Sequence, residues 1–249
     1  MNNEEKLIKE EVAPVVIENI AKHTEFETKY RVDPSVLTEF KRIVDTLPNL
    51  EKFIYVEGPD DYLTNEHLTK SFADFSETLK DKDKERLQAL IAETIGLFPP
   101  FMRYRRPSHG LDNNRQELTT KYKQDGSKNN IIREEKNLRV DKTEEQTVKA
   151  FVKDIGYKTN FSIWKTCHIY NFDDATLVFY SVYDTTDGKA SKMDNFVEIE
   201  VSEEKVSGMT ESMAWTIIEK YETALAEVGL TPHKRLKKSL FEMYRRPVK

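Results

Sequence analysis

The segment "TEFETKYRV", from Thr24 to Val32, alternates like a β-strand, but its charge is oddly placed. Successive side chains of a strand point to opposite faces, so Glu25, Glu27 and Lys29 share one face while Phe26, Thr28 and Tyr30 share the other. Two carboxylates two residues apart repel unless something holds them. The pattern recurs along the chain. Arg103 and Arg105 share a face in "MRYR", Lys121 and Lys123 in "TKYK", and Arg133 and Glu135 in "IREE". Lys165 sits mid-strand in "IWKTC", and Glu198 and Glu200 share a face in "VEIEV", opposite Val197, Ile199 and Val201. A sheet with one wet face and one core face accounts for any one of these strands. It does not account for the sorting, with carboxylates on the first and last strands and cations on most of those between. A closed antiparallel barrel with a polar, charged bore does, provided that helices cover its apolar outside.

The rest of the chain supplies such helices. Asp33-Pro34 is a start signal, an N-cap acid followed by proline at the first helical position. Val36, Leu37, Phe40, Ile43, Val44 and Leu47 then form one stripe, predicting a helix over 34–47. Residues 4–22 suggest a helix interrupted near Pro14, ahead of a strand starting at Thr24. "KFIYV" reads as a strand broken by the turn "EGPDDY", and 65–98 as a helical insertion. From Phe101 to Val201 the pattern is mainly β: "FMRYRR", "ELTTKYKQ", "NIIREEKNLRV", "NFSIWKTCHIYNF", "ATLVFYSVYD" and "NFVEIEVS". Met213, Ala214, Ile217, Ile218, Tyr221, Leu225 and Val228 predict a helix over 210–228 that stops at Gly229, within a C-terminal helical segment at about 209–246. One α+β domain over 1–249 is the simplest organisation.

Charged residues make up 33% of the chain and hydrophobic ones 38%, too much apolar and aromatic content for disorder and more charge than a surface alone calls for. The net charge of −5 argues against a general nucleic-acid binder or DNA sequence reader. Cys167 is the only cysteine, which excludes an internal disulfide and a thiolate zinc cluster. His23, His67, His109, His168 and His233 are scattered, and neither a phosphate-binding Gly-Lys-Ser/Thr loop nor a His-Glu-x-x-His pair occurs. No stretch has the length of a membrane span and the N-terminus lacks a signal-type apolar core, so a cytoplasmic setting is expected. Cys167, Trp164 and Trp215 read as packing residues.

Charges inside a barrel need partners. The cations call for a polyanion, and the carboxylates for a hard cation such as Mg²⁺ or Mn²⁺. A metal-bound triphosphate supplies both.

The order of these segments resembles the CYTH, or triphosphate tunnel metalloenzyme, superfamily. Glu25-x-Glu27-x-Lys29 matches its N-terminal signature. "MRYR", "LTTK", "IREE", "IGYKTNFSIWKTC" and "YD…NFVEIEV" follow in the family's order, with "GLTPHKRLKKSLFEMY" similar to its C-terminal Ser-containing helix. The resemblance covers Glu25 to Tyr244 and implies an eight-stranded antiparallel tunnel. It implies that Glu25, Glu27, Glu198 and Glu200 serve the metal, with Glu25, Glu27, Glu135 and Asp184 as the acids of catalysis. Lys29, Arg103, Arg105, Lys121, Arg133 and Lys165 would bind phosphate, and Lys123 would be a cation of the outer rim. The chain departs from the pattern at Cys167, which stands where the family has the arginine of Lys-x-Arg; Arg139 and His168 are the nearby candidates to compensate. The long 65–98 segment and "RYRR" resemble the viral-type RNA 5′-triphosphatase branch. The implied chemistry is hydrolysis of the terminal phosphate of a nucleoside triphosphate, an RNA 5′-triphosphate or tripolyphosphate. Alternatives are cyclisation of a nucleotide with release of pyrophosphate, and binding without turnover. The basic tail, Lys234 to Arg246, is either a solvated surface or a rim that draws polyanions, and the oligomeric state stays open between monomer and homodimer.

Overall fold

The computed structural model describes residues 19–65, 101–107, 115–123 and 132–247. Eight strands form the body: β1 (Asn19–Val32), β2 (Leu50–Thr64), β3 (Phe101–Arg105), β4 (Glu117–Lys123), β5 (Ile132–Arg139), β6 (Lys158–Phe172), β7 (Thr176–Asp184) and β8 (Ser191–Ser202). All neighbours are antiparallel, in the order β1-β5-β4-β3-β2-β6-β7-β8, and β8 pairs back onto β1 with Glu27 opposite Glu200 and Lys29 opposite Glu198. The ring is uneven. β3 shares only three paired positions with β4. β2 meets β3 only from Asp60 onward, so Leu50–Gly58 are laddered to β6 alone among the described residues. The wall is therefore a curled sheet, deep around β6–β7–β8–β1 and shallow opposite.

Among the described residues four helices follow from sequence signals of different strength: α1 (Leu37–Val44), α2 (Glu145–Asp154), α3 (Glu211–Ala224) and α4 (Leu240–Tyr244). A 3₁₀ turn at Pro34–Val36, capped by Asp33 accepting from Ser35 N at 2.9 Å, leads into α1 as the sequence predicts. Thr210 caps α3, and Gly229, at φ +86°, ends the 3₁₀ turn after it, a conformation that favours glycine. Phe40, Ile43 and Val44 of α1 and Ala214, Ile218 and Tyr221 of α3 bury Phe26, Tyr30, Phe179, Val197, Ile199 and Val201. Two of the three helices expected to cover the apolar outside of the barrel thus do so, the third, at 66–96, lying outside the described residues; Met213 is exposed rather than part of the stripe.

Several expectations are corrected. "EGPDDY" is not a turn: β2 runs straight through it. Proline is tolerated there because the β2–β3 ladder begins only at Asp60, and the Pro59 carbonyl accepts from Arg106 N just past the end of that ladder, so no strand N–H is required of it. Residues 19–22 are strand rather than helix, extending β1 upstream of Thr24. The remainder of the 4–22 helix, and the 66–98 part of the insertion, lie outside the described residues. The C-terminal segment is helical only in parts. Arg235 bridges to Tyr30, and Leu236 N donates to Lys29 O at 2.7 Å, so this stretch lies along the part of β1 that β5 does not reach. α2 is an addition to the expected elements, although Val148, Phe151, Val152 and Ile155 have helical spacing; it packs on Met102, Tyr104 and Leu118.

The interior has two halves. Ile163, Tyr180, Val182 and Phe196 lie on the inward-facing positions of β6–β8, with Tyr62 and Phe161 stacked at 4.5 Å between centroids. α4 closes this half: Phe241 stacks on Phe101 at 4.5 Å, and Leu240 is buried among the same groups. Only the remaining half is the charged bore expected along the whole length.

Candidate metal and anion centre

The charged half is built from β1, β8, β4 and β5, with β2, β3 and β6 opposite. Ladder register, not sequence proximity, brings its acids together. Glu27 faces Glu200 across the β1–β8 seam, and Lys121 faces Glu135 across β4–β5. Glu25 and Glu27 are buried and, with Glu200, place one carboxylate oxygen each within 4.8 Å of one another. Glu198, grouped with them in the sequence, is held apart: it accepts from Lys29 Nζ at 2.8 Å and from the Tyr180 hydroxyl at 2.8 Å.

Each described cation expected to bind phosphate has a carboxylate near it. Lys121 Nζ lies 2.8 Å from Glu25, 3.1 Å from Glu27 and 2.7 Å from Glu135. Arg103 donates to Thr119 Oγ1 at 3.0 Å and lies 3.8 Å from Glu117 and 4.0 Å from Glu135. Lys165 Nζ is 2.8 Å from Asp60, whose other oxygen is 3.4 Å from Arg105 Nε. The side chains of Lys123 and Arg133 lie outside the described residues. Asp184 does not join the acids. It binds Arg246 at 2.9 Å and Thr186 N at 2.8 Å, and eight β7 residues separate it from Thr176, the partner of Glu200, or about 26 Å of strand.

Asp60 and Glu117, 2% and 1% exposed, are site acids that the sequence reading missed. Asp60 was hidden in the supposed turn. Glu117 was legible, since Glu117, Thr119 and Lys121 alternate onto one face of β4. Arg115, also missed, donates to Glu117 at 3.0 Å and helps line an opening of about 40 Å³ shared with Gly58, Asp60, Arg105, Lys165 and Cys167. At that opening Cys167 supplies no charge, and burial pushes its thiol up to about 11. Neither expected substitute replaces the missing arginine. His168 packs on the other face with Phe53 and Tyr55, and Arg139 pairs with Asp141.

The acids respond to burial and to each other. Burial, with Glu135 and Glu27 nearby, raises the Glu25 carboxyl well above its ordinary value despite Lys121. Burial and Glu198 push Glu200 up to about 8. Burial would raise Glu135 too, but Lys121, a hydrogen bond from Glu25 and Arg103 hold it well below the carboxylate range. Where the two groups share a hydrogen bond, burial therefore favours the proton on Glu25 and the charge on Glu135. Three crowded carboxyl groups, Glu25 and Glu27 buried and Glu200 half-buried, offer all-oxygen donors that fit a hard divalent cation, which would replace their protons.

A pH dependence follows for the metal-free protein. Glu200 titrates near 8 folded and near 4.5 unfolded, so between these values the folded state holds the extra proton and stability falls as pH rises. Thermal melts in chelator are expected to show declining stability from pH 6 to 8.5, and Mn²⁺ should remove the decline. A flat or rising profile in chelator would contradict the assignment.

No protein-family model matches the chain, and no curated protein does. Solved structures do. PH1819 from Pyrococcus horikoshii superposes with a TM-score of 0.54 at 18% identity, over 88% of this chain and 97% of that one. A "putative adenylate cyclase" from Bacillus halodurans gives 0.50 at 11%, over 90% and 98%. A chain of the Schizosaccharomyces pombe Mediator head module gives 0.52 at 11%, over 82% and 95%. The Pyrococcus and Bacillus structures are CYTH-type, so the resemblance carried by the strand motifs holds as a shared fold. At such identities the fold is what is shared, and fold alone does not fix an activity.

Proposed function

We propose that the protein is a divalent-metal-dependent phosphohydrolase that removes the terminal phosphate of a triphosphate held in the charged half of the barrel. The observation that carries this is the juxtaposition of the Glu25–Glu27–Glu200 carboxylates with Lys29, Lys121 and Arg103 in one buried chamber. A cation seat alone would need no cations around it, and an anion seat alone no carboxylate cluster.

Glu25, Glu27 and Glu200 would hold Mg²⁺ or Mn²⁺, which supplies charge neutralisation at the phosphoryl oxygens. Arg103, Lys29 and Lys121 hold the chain of phosphates from the walls, and Arg105 and Lys165 from the side of the opening. These fixed charges act in a site shielded from water, where they stabilise the transferring phosphoryl group without reorganisation. Glu135, kept ionised by Lys121 and Arg103, is the acceptor for the proton of the attacking water. Asp184, at the far end of β7, takes no part.

A cyclase is the second reading, favoured by the fold shared with the Bacillus protein. It requires a sugar hydroxyl, rather than water, at the α-phosphate. The deciding experiment incubates the protein with tripolyphosphate, ATP, GTP and triphosphorylated RNA, each with Mg²⁺ or Mn²⁺. Orthophosphate release is expected. Cyclic nucleotide with pyrophosphate would replace the hydrolase by the cyclase, and tight binding without product would reduce the protein to a sequestering one. No helix among the described residues is long and apolar enough to cross a bilayer.

A further inference from the structure

Among the described cations that line the chamber, Lys121 stands apart. Lys29 is closest to Glu198, and Lys165 and Arg105 share Asp60. Lys121 lies within 3.1 Å of two of the three carboxylates that make up the cation seat. Its third partner, Glu135 at 2.7 Å, is the residue directly across the β4–β5 ladder. The ammonium therefore sits where the negative charge of β1 meets that of β5.

A divalent ion held by Glu25 and Glu27 would compete for the two carboxylates that Lys121 now contacts. A dication and an ammonium on the same pair of carboxylates repel each other strongly where charge is poorly screened. The carboxylates are the fixed partners: the Glu25 and Glu27 side chains are 8% and 4% exposed and stand mid-strand on the β1–β8 seam. The lysine is the movable one. Its side chain is 25% exposed, and four methylene groups separate its charge from the backbone. Released from the acids, its reach covers the space bounded by Arg103 and Thr119, where the anion would lie.

We propose that Lys121 is a displaceable internal counter-ion: it holds the acid cluster together before metal arrives and passes to a phosphoryl oxygen once metal takes its place. This deepens the reading of the chamber as a site for a metal-bound triphosphate and rests on it. Because the same ammonium competes with metal and assists the anion, the two ligands promote each other's binding, by equal factors in either order. The ion-paired chamber is also a poor anion trap in the absence of metal.

The test is Lys121→Met, which keeps an unbranched side chain out to Cε and removes the ammonium. Without any anion, Mn²⁺ binding followed by isothermal titration or by the paramagnetic resonance of free Mn²⁺ is expected to tighten by about tenfold. Binding of tripolyphosphate at saturating Mn²⁺ is expected to weaken by about tenfold, so one substitution moves the two affinities in opposite directions. Unchanged or weaker Mn²⁺ binding by a folded Lys121→Met variant overturns the proposal. Should that variant fail to fold, Lys121→Gln is read the same way. A structure of the unaltered protein with Mn²⁺ alone tests the same point independently: Lys121 Nζ must have left Glu25 and Glu27, and its persistence there overturns the idea. If Mn²⁺ binds and Glu27→Gln abolishes it while Lys121 proves indifferent, only this inference fails. If neither the unaltered protein nor Lys121→Met binds Mn²⁺, the metal reading fails and this one with it.

Discussion

Glu27→Gln is expected to lower the kcat for triphosphate hydrolysis by about 10²–10³-fold and to abolish stoichiometric Mn²⁺ binding. The size follows from losing several kcal/mol of charge stabilisation in the transition state, at one decade of rate per 1.36 kcal/mol. Glutamine keeps the volume and one acceptor oxygen, so the β1–β8 seam should persist. Removing one of the three crowded acids, Glu25, Glu27 and Glu200, also relieves repulsion, so thermal stability in chelator should hold or rise. Steady-state kinetics, titration with Mn²⁺ and a melting curve together check this. Activity within about threefold of the parent would remove Glu27 from the metal seat.

The second large effect concerns stability and lies outside the chamber. Glu222, 4% exposed on α3, accepts from the hydroxyl of the fully buried Tyr30 and from two N–H groups of Arg235. The guanidinium of Arg235 lies over Trp215 at 4.4 Å. The network ties α3, β1 and the C-terminal segment together. Glu222→Ala leaves the Arg235 cation without its carboxylate and the Tyr30 hydroxyl with only Thr28 Oγ1 as acceptor, which costs about 3–5 kcal/mol at a buried site. Arg235 retains some exposure, so a loss near the lower limit is expected, a fall of roughly 6–12 °C in Tm for a chain of this length. Combining Glu222→Ala with Arg235→Leu should recover most of it, because no uncompensated charge then remains. Urea unfolding of the single and double variants measures both. A single-variant loss below about 1 kcal/mol would show the network to be incidental.

What the sequence disclosed was what two-residue periodicity can carry. Glu25, Glu27 and Lys29 on one face, with Phe26 and Tyr30 on the other, indicated both the barrel and the side that would be charged. The register brought Glu200 to Glu27 as the motif order implies. Three things were not legible, for physical reasons. Asp60 was lost because Gly58-Pro59 is a turn signal in isolation, and only the late start of β3 lets a strand tolerate it. The split of the interior was hidden because an aromatic residue on an inward position, such as Phe161 or Phe196, reads the same whether it faces a core or a bore. Asp184 entered as a site acid only through the order of the motifs in the family that the chain resembles, and that order names the strand but not how far along the barrel the residue stands. α2 is different in kind: its apolar spacing was present and outweighed by the β-rich surroundings.

The aromatic stack under α4 has a further consequence for traffic. Among the described residues α4 and its aromatic stack cover one end of the barrel, so under the proposed hydrolysis phosphate released there would leave toward the other. Outgoing phosphate and incoming triphosphate would then compete for the same space by occupancy alone.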